Sequence, residues 1–406
     1  MDLILITIKL IYKIEQGTWN SVLFYAEGNR VLSFFVSWEQ RKLKDMSTYK
    51  NGTGHEDKQS STGKYELINL NSVSIDGGLK SSGKYIDESD ETLQIDDLVM
   101  VLSDVGHGDL LGRVAVIPEN NRFVLNQRVA LLRPNDSVFP RFLFTCINAG
   151  QAYFKINGAG SSQLNISKEV VENFEPFIPK KDEQIKISET FEKIDNLITL
   201  HQSKYDKLVN VKKALLEKMF PKDGKNVPEI RFKGFTDTWE QRKLGEIANV
   251  YDGTHQTPNY KNEGIMFLSV ENIKNLQSEK YISKEDFYRD FKIYPEKNDI
   301  LMTRIGDIGT TNIVRDDIPK AYYVSLALLK PQKINCEYLN IAIQSEYVQK
   351  GLMQRSLLTA IPMKINKEQI GQVDVLYPIN NVEQEKIGTI FKAIDNLITL
   401  HQQIII

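Results

Sequence analysis

The clearest hydrophobic pattern in the chain lies between residues 182 and 220, where apolar side chains alternate at intervals of four and three. The positions are Ile187, Phe191, Ile194, Ile198, His201, Tyr205, Leu208, Lys212, Leu215 and Met219. This spacing is typical of a coiled-coil seam. It predicts one helix, about 57 Å long at roughly 1.5 Å per residue. No glycine or proline interrupts the pattern, and Pro221 follows as a stop signal.

The same seam returns near the C-terminus, at Ile387, Phe391, Ile394, Ile398 and His401. An isolated helix cannot hide such a seam from water, so each copy needs a partner. The simplest partner is the other copy, packed antiparallel, and the alternative is a helix that packs on its own domain. The second copy lacks the continuation that residues 203–220 provide in the first. We therefore expect a truncated or frame-shifted C-terminus.

Two further identities show that the chain contains two copies of one plan. Trp38–Leu43 recurs as Trp239–Leu244, 201 positions later, and Asp195–Gln202 recurs as Asp395–Gln402, 200 positions later. Of the 21 residues in 182–202, 14 are identical in 382–402. The predicted divisions are an atypical extension at 1–37, a first domain at 38–181, a helix at 182–220, a linker at 221–238, a second domain at 239–381 and a second helix at 382–406.

Within the two domains, short apolar runs between clusters of Gly, Asn, Asp and Ser predict strands. The predicted strands lie at 65–70, 98–102, 113–117, 123–132, 265–270, 299–303 and 322–329. Helices are predicted at 138–149, 167–173, 337–350 and 366–370. The expected fold class is α+β, with two mixed α/β domains held apart by long antiparallel helices in a pseudo-twofold repeat.

Composition narrows the classes of function. Hydrophobic residues make up 41% and charged residues 26%, and 51 Lys and Arg against 53 Asp and Glu leave a net charge of −2. These values argue against disorder, a multi-span membrane protein and a protein that coats nucleic acid indiscriminately, but they permit local basic patches. The only cysteines, Cys146 and Cys336, form no metal-binding or disulfide pattern, which fits the cytoplasm. The apolar run Leu3–Tyr12 is too short to span a bilayer, and a surface anchor is the minor alternative.

No catalytic residue is predicted, because the chain lacks the spacings of zinc peptidases, serine hydrolases and adenine methyltransferases. Polar loops instead follow the Trp-Glu-Gln-Arg-Lys-Leu motif in both copies, and each contains Gly-Thr and a histidine. Such side chains suit contacts to base edges in DNA, although solvated loops are the alternative. The candidate DNA-binding residues are Thr53, His55, Lys58, Gln59, Ser60, Asn126, Gln127, Arg128, Thr254, His255, Gln256, Tyr260, Arg304, Thr310, Thr311 and Asn312.

Together these motifs resemble those of the specificity subunits of type I restriction-modification systems. The resemblance covers about 38–406 and includes the two repeated motifs, the loop 252–258 and the segment 299–309. It implies two target-recognition domains that each read one half of a split sequence in double-stranded DNA. It also implies that the helix seams dock methyltransferase subunits and that restriction subunits join the complex.

The resemblance further implies that this chain is not an enzyme by itself and carries no cofactor or metal. S-adenosylmethionine, and ATP and Mg²⁺ for restriction, are expected on the partner subunits, and no membrane partner is expected. The alternative function is a two-headed helical scaffold that binds protein partners without recognising DNA. A scaffold of that kind predicts exposed apolar patches on the two domains rather than polar loops.

Overall fold

The computed structural model describes residues 38–105, 108–161, 163–222, 224–357 and 359–405, together with two short strands nearer the N-terminus. The chain divides into unit 1, Met1–Asn196, and unit 2, Leu197–Ile406. The two N-terminal strands, β1 (Phe24–Tyr25) and β2 (Val31–Leu32), pair antiparallel. The rest of the predicted extension at 1–37 lies outside the described residues.

Unit 1 combines a four-stranded antiparallel sheet with a three-stranded sheet and short helices. Its further strands are β3 (Glu39–Gln40), β4 (Ser47–Asn51), β5 (Tyr65–Ile68), β6 (Tyr85–Ile86), β7 (Leu98–Val101), β8 (Ser103–Val105), β9 (Val114–Val116), β10 (Phe123–Leu125), β11 (Val129–Pro134), β12 (Gln163–Asn165) and β13 (Phe177–Ile178). Its helices are α1 (Leu43–Met46), α2 (Pro140–Ala149), α3 (Gln151–Ile156) and α4 (Lys168–Glu172), and α5 (Lys181–Lys218) begins in it. The sheet orders are β4-β11-β7-β9 and β10-β5-β6, with β10 parallel to β5.

The central strands of the four-stranded sheet are buried on both faces. In β7, Leu98 and Met100 pack into the core that contains α2, whereas Val99 and Val101 pack into the core beside the three-stranded sheet. Successive side chains of a strand point to opposite faces, so this position requires an uninterrupted apolar run. This is why the sequence pattern of β7 does not alternate between apolar and polar residues.

Unit 2 repeats this plan. Its strands are β14 (Glu240–Lys243), β15 (Ala248–Asp252), β16 (Ile265–Leu268), β17 (Tyr281–Ile282), β18 (Ile300–Ile305), β19 (Asp307–Ile313), β20 (Lys320–Tyr322), β21 (Leu326–Pro331) and β22 (Asp374–Tyr377). Its helices are α6 (Leu244–Ile247), α7 (Lys284–Asp290), α8 (Cys336–Gln344), α9 (Glu346–Gln354), α10 (Lys367–Gly371) and α11 (Asn381–Ile405). The orders β15-β21-β18-β19 and β17-β16-β20 match those of unit 1, including a parallel pair of β16 and β20. The predicted α+β class and internal repeat are confirmed.

Two predicted strands are each broken in the structure. The run 123–132 contains β10 and the first four residues of β11, and the run 322–329 contains the last residue of β20 and the first four residues of β21. The break in unit 1 contains Arg128, whose φ is +67°. Each break lets the chain leave the three-stranded sheet and enter the four-stranded one, so it is a turn between sheets. The predicted helix 337–350 is likewise divided, because Ser345 has extended backbone between α8 and α9.

The last part of α5 and the helix α11 run antiparallel within unit 2. The Nδ1 atoms of His201 and His401 lie 2.7 Å apart, and Lys212 Nζ lies 2.7 Å from a carboxylate oxygen of Asp395. The antiparallel pairing predicted from the seam is therefore confirmed in this unit. The buried seam residues of α11 are Ile387, Phe391 and Ile394. None of the described helices is long and apolar enough to cross a bilayer.

We expect the histidine contact to make this helix pair sensitive to acid. The pKa of His401 is lowered by burial, by the facing His201 ring and by Lys204. A histidine whose pKa is lower in the folded state than in the unfolded state takes up protons more readily when unfolded, so stability falls as the pH drops below about 6.5. We expect the melting temperature to fall between about pH 7.5 and about pH 5.5, and to fall less in His401→Gln. If thermal unfolding shows that the melting temperature falls equally in the parent and in His401→Gln, the acid sensitivity does not come from His401.

Candidate nucleic-acid interface

The two polar loops predicted from the repeat occupy equivalent places in units 1 and 2. In unit 1 the loop follows β4, and Thr53 forms a parallel bridge with Asn126. In unit 2 the loop follows β15, and Thr254 forms a parallel bridge with Tyr323. Each loop therefore lies directly against the turn between the two sheets of its own unit.

A glycine allows this close approach in both units. A Cβ atom on Gly52 would lie 1.7 Å from the carbonyl oxygen of Asn126, and one on Gly253 would lie 2.5 Å from the carbonyl oxygen of Tyr323. Both distances are far below van der Waals contact, and both neighbours are backbone atoms. The glycine of the Gly-Thr pair is thus required in both loops by packing between loop and turn.

In unit 1 the structure brings two separate groups of predicted residues together. The turn 126–128 projects Gln127 and Arg128 into solvent beside the loop, where Thr53 and His55 lie. Gln127 donates a hydrogen bond to Glu56 of the loop. The result is one continuous polar surface built from two segments that are over 70 residues apart in sequence.

The other predicted residues of unit 1 differ in their surroundings. Asn126 is only 8% exposed, and its Oδ1 atom has no hydrogen-bond partner among the described residues. Lys58 and Gln59 are exposed, and Lys58 lines the same cleft as His55. The backbone of Ser60 exchanges two hydrogen bonds of 2.9 Å with Tyr85, which ties the end of the loop to β6.

The loop of unit 1 borders a cleft of about 700 Å³ that also has an acidic lining. Lys50, His55 and Lys58 line it together with the segment 88–91, Glu-Ser-Asp-Glu, whose three carboxylate residues are exposed. Lys50 forms an ion pair with Glu91. The acidic segment lowers the positive potential that this cleft could offer to a phosphate backbone.

Neutralising the acidic segment is therefore expected to strengthen DNA binding. In the triple variant Glu88→Gln, Asp90→Asn, Glu91→Gln we expect the affinity for DNA to rise by about three- to tenfold at low salt, and the gain to shrink as salt is added. The measurement is a salt titration of the dissociation constant.

The matched control changes the net charge equally but away from the cleft. It neutralises three other exposed carboxylates of unit 1, those of Asp136, Glu169 and Glu175. An equal gain in this control means that net charge, and not the cleft, is responsible.

In unit 2 the predicted residues Thr254, His255, Gln256 and Tyr260 lie on one loop. His255 and Gln256 are exposed, and Tyr260 is 42% exposed with its ring packed edge-on against Phe267. Lys280 Nζ lies 5.9 Å from the centre of the Tyr260 ring. A hydrogen bond to Glu271 raises the pKa of Lys280, so this cation stays charged beside the loop.

The turn Tyr323–Ser325 was missed as a candidate, because the apolar run around it predicts an unbroken strand. Val324 N donates a 2.9 Å hydrogen bond to the carbonyl of Thr254, so the turn lies against the loop. A signal was present, since the alignment of 129–134 with 326–331 places Asn126–Arg128 opposite Tyr323–Ser325. The repeat thus supplies the second candidate turn.

The remaining candidates of unit 2 lie elsewhere. Thr310, Thr311 and Asn312 lie on β19, at the opposite edge of the four-stranded sheet from β15. They line a polar pocket of about 550 Å³, and the Asn312 amide donates to the carbonyls of Ile273 and Lys274. Arg304 is 5% exposed and lies in the interior. These four residues do not share a surface with the loop.

The helix pair of unit 2 has an exposed apolar face. Leu197 and Leu200 of α5 are 53% and 48% exposed, and their repeat counterparts Leu397 and Leu400 of α11 are 44% and 51% exposed. Among the predicted seam residues of this pair, Ile198 is 41% exposed. Five others are half-buried, namely His201, Tyr205, Leu208, Ile398 and His401. The seam residues Ile187, Phe191 and Ile194 lie in unit 1, where they are half-buried. A cluster of exposed leucines, unlike a single one, is typical of a surface that binds protein.

Comparisons with known proteins show the family and the fold of the chain. A family model described as the type I restriction modification DNA specificity domain matches residues 36–210 and 236–406. The MjaVIII type I restriction enzyme specificity subunit of Methanocaldococcus jannaschii is 23% identical over 291 residues, 68% of each chain. The putative MjaX specificity subunit of the same organism is 23% identical over 387 residues, 90% of this chain and 88% of that one. The crystal structure of a type I restriction-modification S subunit from M. genitalium has a similar fold, with a TM-score of 0.60, 18% identity and 93% of each chain covered.

Proposed function

The chain belongs to the type I restriction-modification DNA specificity family, and from this we propose that its two units read the two halves of one split DNA sequence. Unit 1 reads its half with the loop 51–60 and the turn 126–128. Unit 2 uses the loop 252–261 and the turn 323–325. The observation that carries the proposal is the glycine-dependent contact between loop and turn, which recurs in both units with different exposed side chains.

The exposed side chains suit base recognition. Arg128 can bind guanine with two hydrogen bonds, and Gln127 or Gln256 can bind adenine in the same way. Lysines around the loops, such as Lys58 and Lys280, contact phosphates and set the register without reading the sequence. Because the residues that reach the surface differ between the two turns, Gln127 and Arg128 against Tyr323 and Val324, we expect the two halves of the target to differ too.

Methylation and cleavage take place on partner subunits. Methyltransferase subunits bind the exposed apolar face of the helix pair, and restriction subunits join them. S-adenosylmethionine, ATP and Mg²⁺ are held by those partners, and this chain acts without catalysis of its own. The complex works in the cytoplasm, where it meets DNA. Support for protein docking comes from the leucines at 197, 200, 397 and 400, which expose about half of their surface.

The scaffold alternative differs in what the two units expose. It requires apolar patches on them, whereas the paired loops expose threonine, histidine, glutamine and arginine. Polar groups of this kind are costly to bury against protein unless each finds a partner, but they match the donors and acceptors of base edges. The composition of the loops thus favours DNA over a protein ligand.

The test is to map methylated adenines in DNA treated with the cognate methyltransferase subunits, with and without this chain. We expect methylation at one split sequence only when the chain is present, and footprints over both halves. Assembly with the partners but no sequence-dependent methylation or protection supports the scaffold instead.

A further inference from the structure

An ion pair between the buried Arg304 and the half-buried Asp252 lies directly behind the loop of unit 2. Arg304, near the end of β18, is 6% exposed at its side chain, and Nη1 contacts the carboxylate of Asp252, the residue before Gly253. Its Nε donates a 3.0 Å hydrogen bond to the carbonyl of Ile365. The guanidinium thus faces the base of the loop rather than solvent.

The backbone of Arg304 adds two further connections. Its N–H donates to the carbonyl of Ser325 in the turn, and its carbonyl accepts from the N–H of Ile365, both at 3.0 Å. The carbonyl of Asp252 accepts a 3.0 Å hydrogen bond from the hydroxyl of Tyr322. The loop, the turn and the segment before α10 therefore meet at one residue.

Unit 1 has the same backbone arrangement without the charges. Leu102 N donates to the carbonyl of Arg128, and its carbonyl accepts from Ile166 N, as Arg304 does with Ser325 and Ile365. In the strand pairing, Asn51 lies opposite Ala130 where Asp252 lies opposite Ala327. Leu102 and Asn51 thus occupy the places of Arg304 and Asp252.

We propose that Arg304 is a positioning residue for recognition by unit 2, and that it holds the loop at 252–256 in its reading geometry through the ion pair with Asp252. This rests on the proposed function. The buried guanidinium contacts no base itself. It neutralises a carboxylate that would otherwise lack a partner at the base of the loop, and it fixes the position of Thr254 relative to the turn. Unit 1 achieves the same with a leucine and an asparagine.

The two units supply the design of the test. Arg304→Leu and Asp252→Asn each leave one member of the pair without its partner, and the double variant recreates the Leu102 and Asn51 combination of unit 1. Each variant is assembled with the methyltransferase subunits, and binding is measured on DNA that is changed in one half-site at a time. Thermal unfolding is recorded for every variant.

We expect Arg304→Leu to weaken binding to the full site by at least about tenfold and to reduce discrimination at the half-site of unit 2 alone. The double variant should recover to within about threefold of the parent. If Arg304 reads a base directly, the double variant is as weak as Arg304→Leu, and the proposal fails. It also fails if Arg304→Leu binds and discriminates like the parent.

Two further outcomes separate a folding defect and the proposed function from this inference. If Arg304→Leu does not fold, the double variant decides between the outcomes. A double variant that folds and discriminates supports the role of the ion pair. A double variant that folds but does not discriminate overturns the proposal. If the parent complex itself shows no sequence preference, the proposed function fails first. If the parent discriminates between DNA sequences and Arg304→Leu discriminates equally well, the proposed function stands and only the positioning role of Arg304 is rejected.

Discussion

Exchange of residues 239–381 for the matching segment of another member of the family should change one half of the recognised DNA sequence and leave the other half intact. The segment contains both the loop 252–261 and the turn 323–325, and its two ends lie side by side. Glu240–Lys243 pairs antiparallel with Asp374–Tyr377, so the exchanged piece begins and ends on neighbouring strands. Few connections are cut, and the recognition surface is transferred whole.

The exchanged segment must keep its contacts with the retained helices. Phe220, beyond the end of α5, packs 6.0 Å from Trp239, 5.9 Å from Tyr338 and 6.1 Å from Phe391, measured between ring centres. The backbone N–H of Asn335 donates a 2.9 Å hydrogen bond to the buried Gln384 of α11. A donor segment should fold if it has aromatic residues at the positions of Trp239 and Tyr338 and starts a helix at the position of Asn335.

The measurement is a map of methylated adenines. When the new half-site in the DNA is replaced by the old one, we expect the exchanged protein to lose at least about 4 kcal/mol of binding free energy, because each mismatched base pair costs about 1–3 kcal/mol. The reciprocal exchange of 38–181 should change the other half. If either exchange alters both halves, the units do not read independently and the modular interpretation is wrong.

Substitution of Gly253 by alanine is expected to abolish discrimination at the half-site of unit 2. The new methyl carbon would lie 2.5 Å from both backbone atoms of the Tyr323 carbonyl and 2.6 Å from the carbonyl oxygen of Tyr322. The backbone at Tyr323 is held by a 2.8 Å hydrogen bond from its N–H to the carbonyl of Leu268, so the loop itself must move. Overpacking of this kind costs about 1–3 kcal/mol, and the loss falls on the surface that contacts DNA.

A second glycine of the same unit provides the control. A Cβ atom on Gly371 would lie 3.8 Å from its nearest neighbour, the Cα atom of Gly245, so Gly371→Ala introduces a methyl group without a clash. We expect Gly253→Ala to weaken binding to the full site by about 10- to 100-fold, Gly52→Ala to affect the half-site of unit 1 instead, and Gly371→Ala to bind like the parent. Equal binding by Gly253→Ala and Gly371→Ala, measured with half-site variants of the DNA, contradicts the loop–turn interface.

The repeat was predictable because identical segments 200 positions apart are visible in the chain itself. The helix α5 was predictable for a similar reason, since the predicted range 182–220 rests on a spacing that extends over ten seam positions and ends at a proline. Both signals can be read from the order of residues along the chain. They do not depend on which distant segment packs against them.

The strand β19 and the turn Asn126–Arg128 were not predicted. β19 carries Thr310, Thr311 and Asn312, whose polarity indicates a loop, but its hydrogen bonds to β18 and to the carbonyls of Ile273 and Lys274 make it an edge strand. The turn follows an apolar run that reads as one strand. Its position is decided by the two sheets that the chain must join.

The sequence by itself thus determined the duplication, the α+β class, the helical seams and the two polar loops, because each can be read from the order and spacing of residues along the chain. Only the tertiary structure decided that the loops of units 1 and 2 lie against the turns at Asn126 and Tyr323, and that Arg304 lies behind its loop and not on its surface. Burial and strand pairing depend on contacts between residues 50 to 70 positions apart. The spacing of side chains along the chain carries no record of such contacts. A charged residue at the end of a strand pattern therefore gives no sign of whether it contacts solvent or a carboxylate.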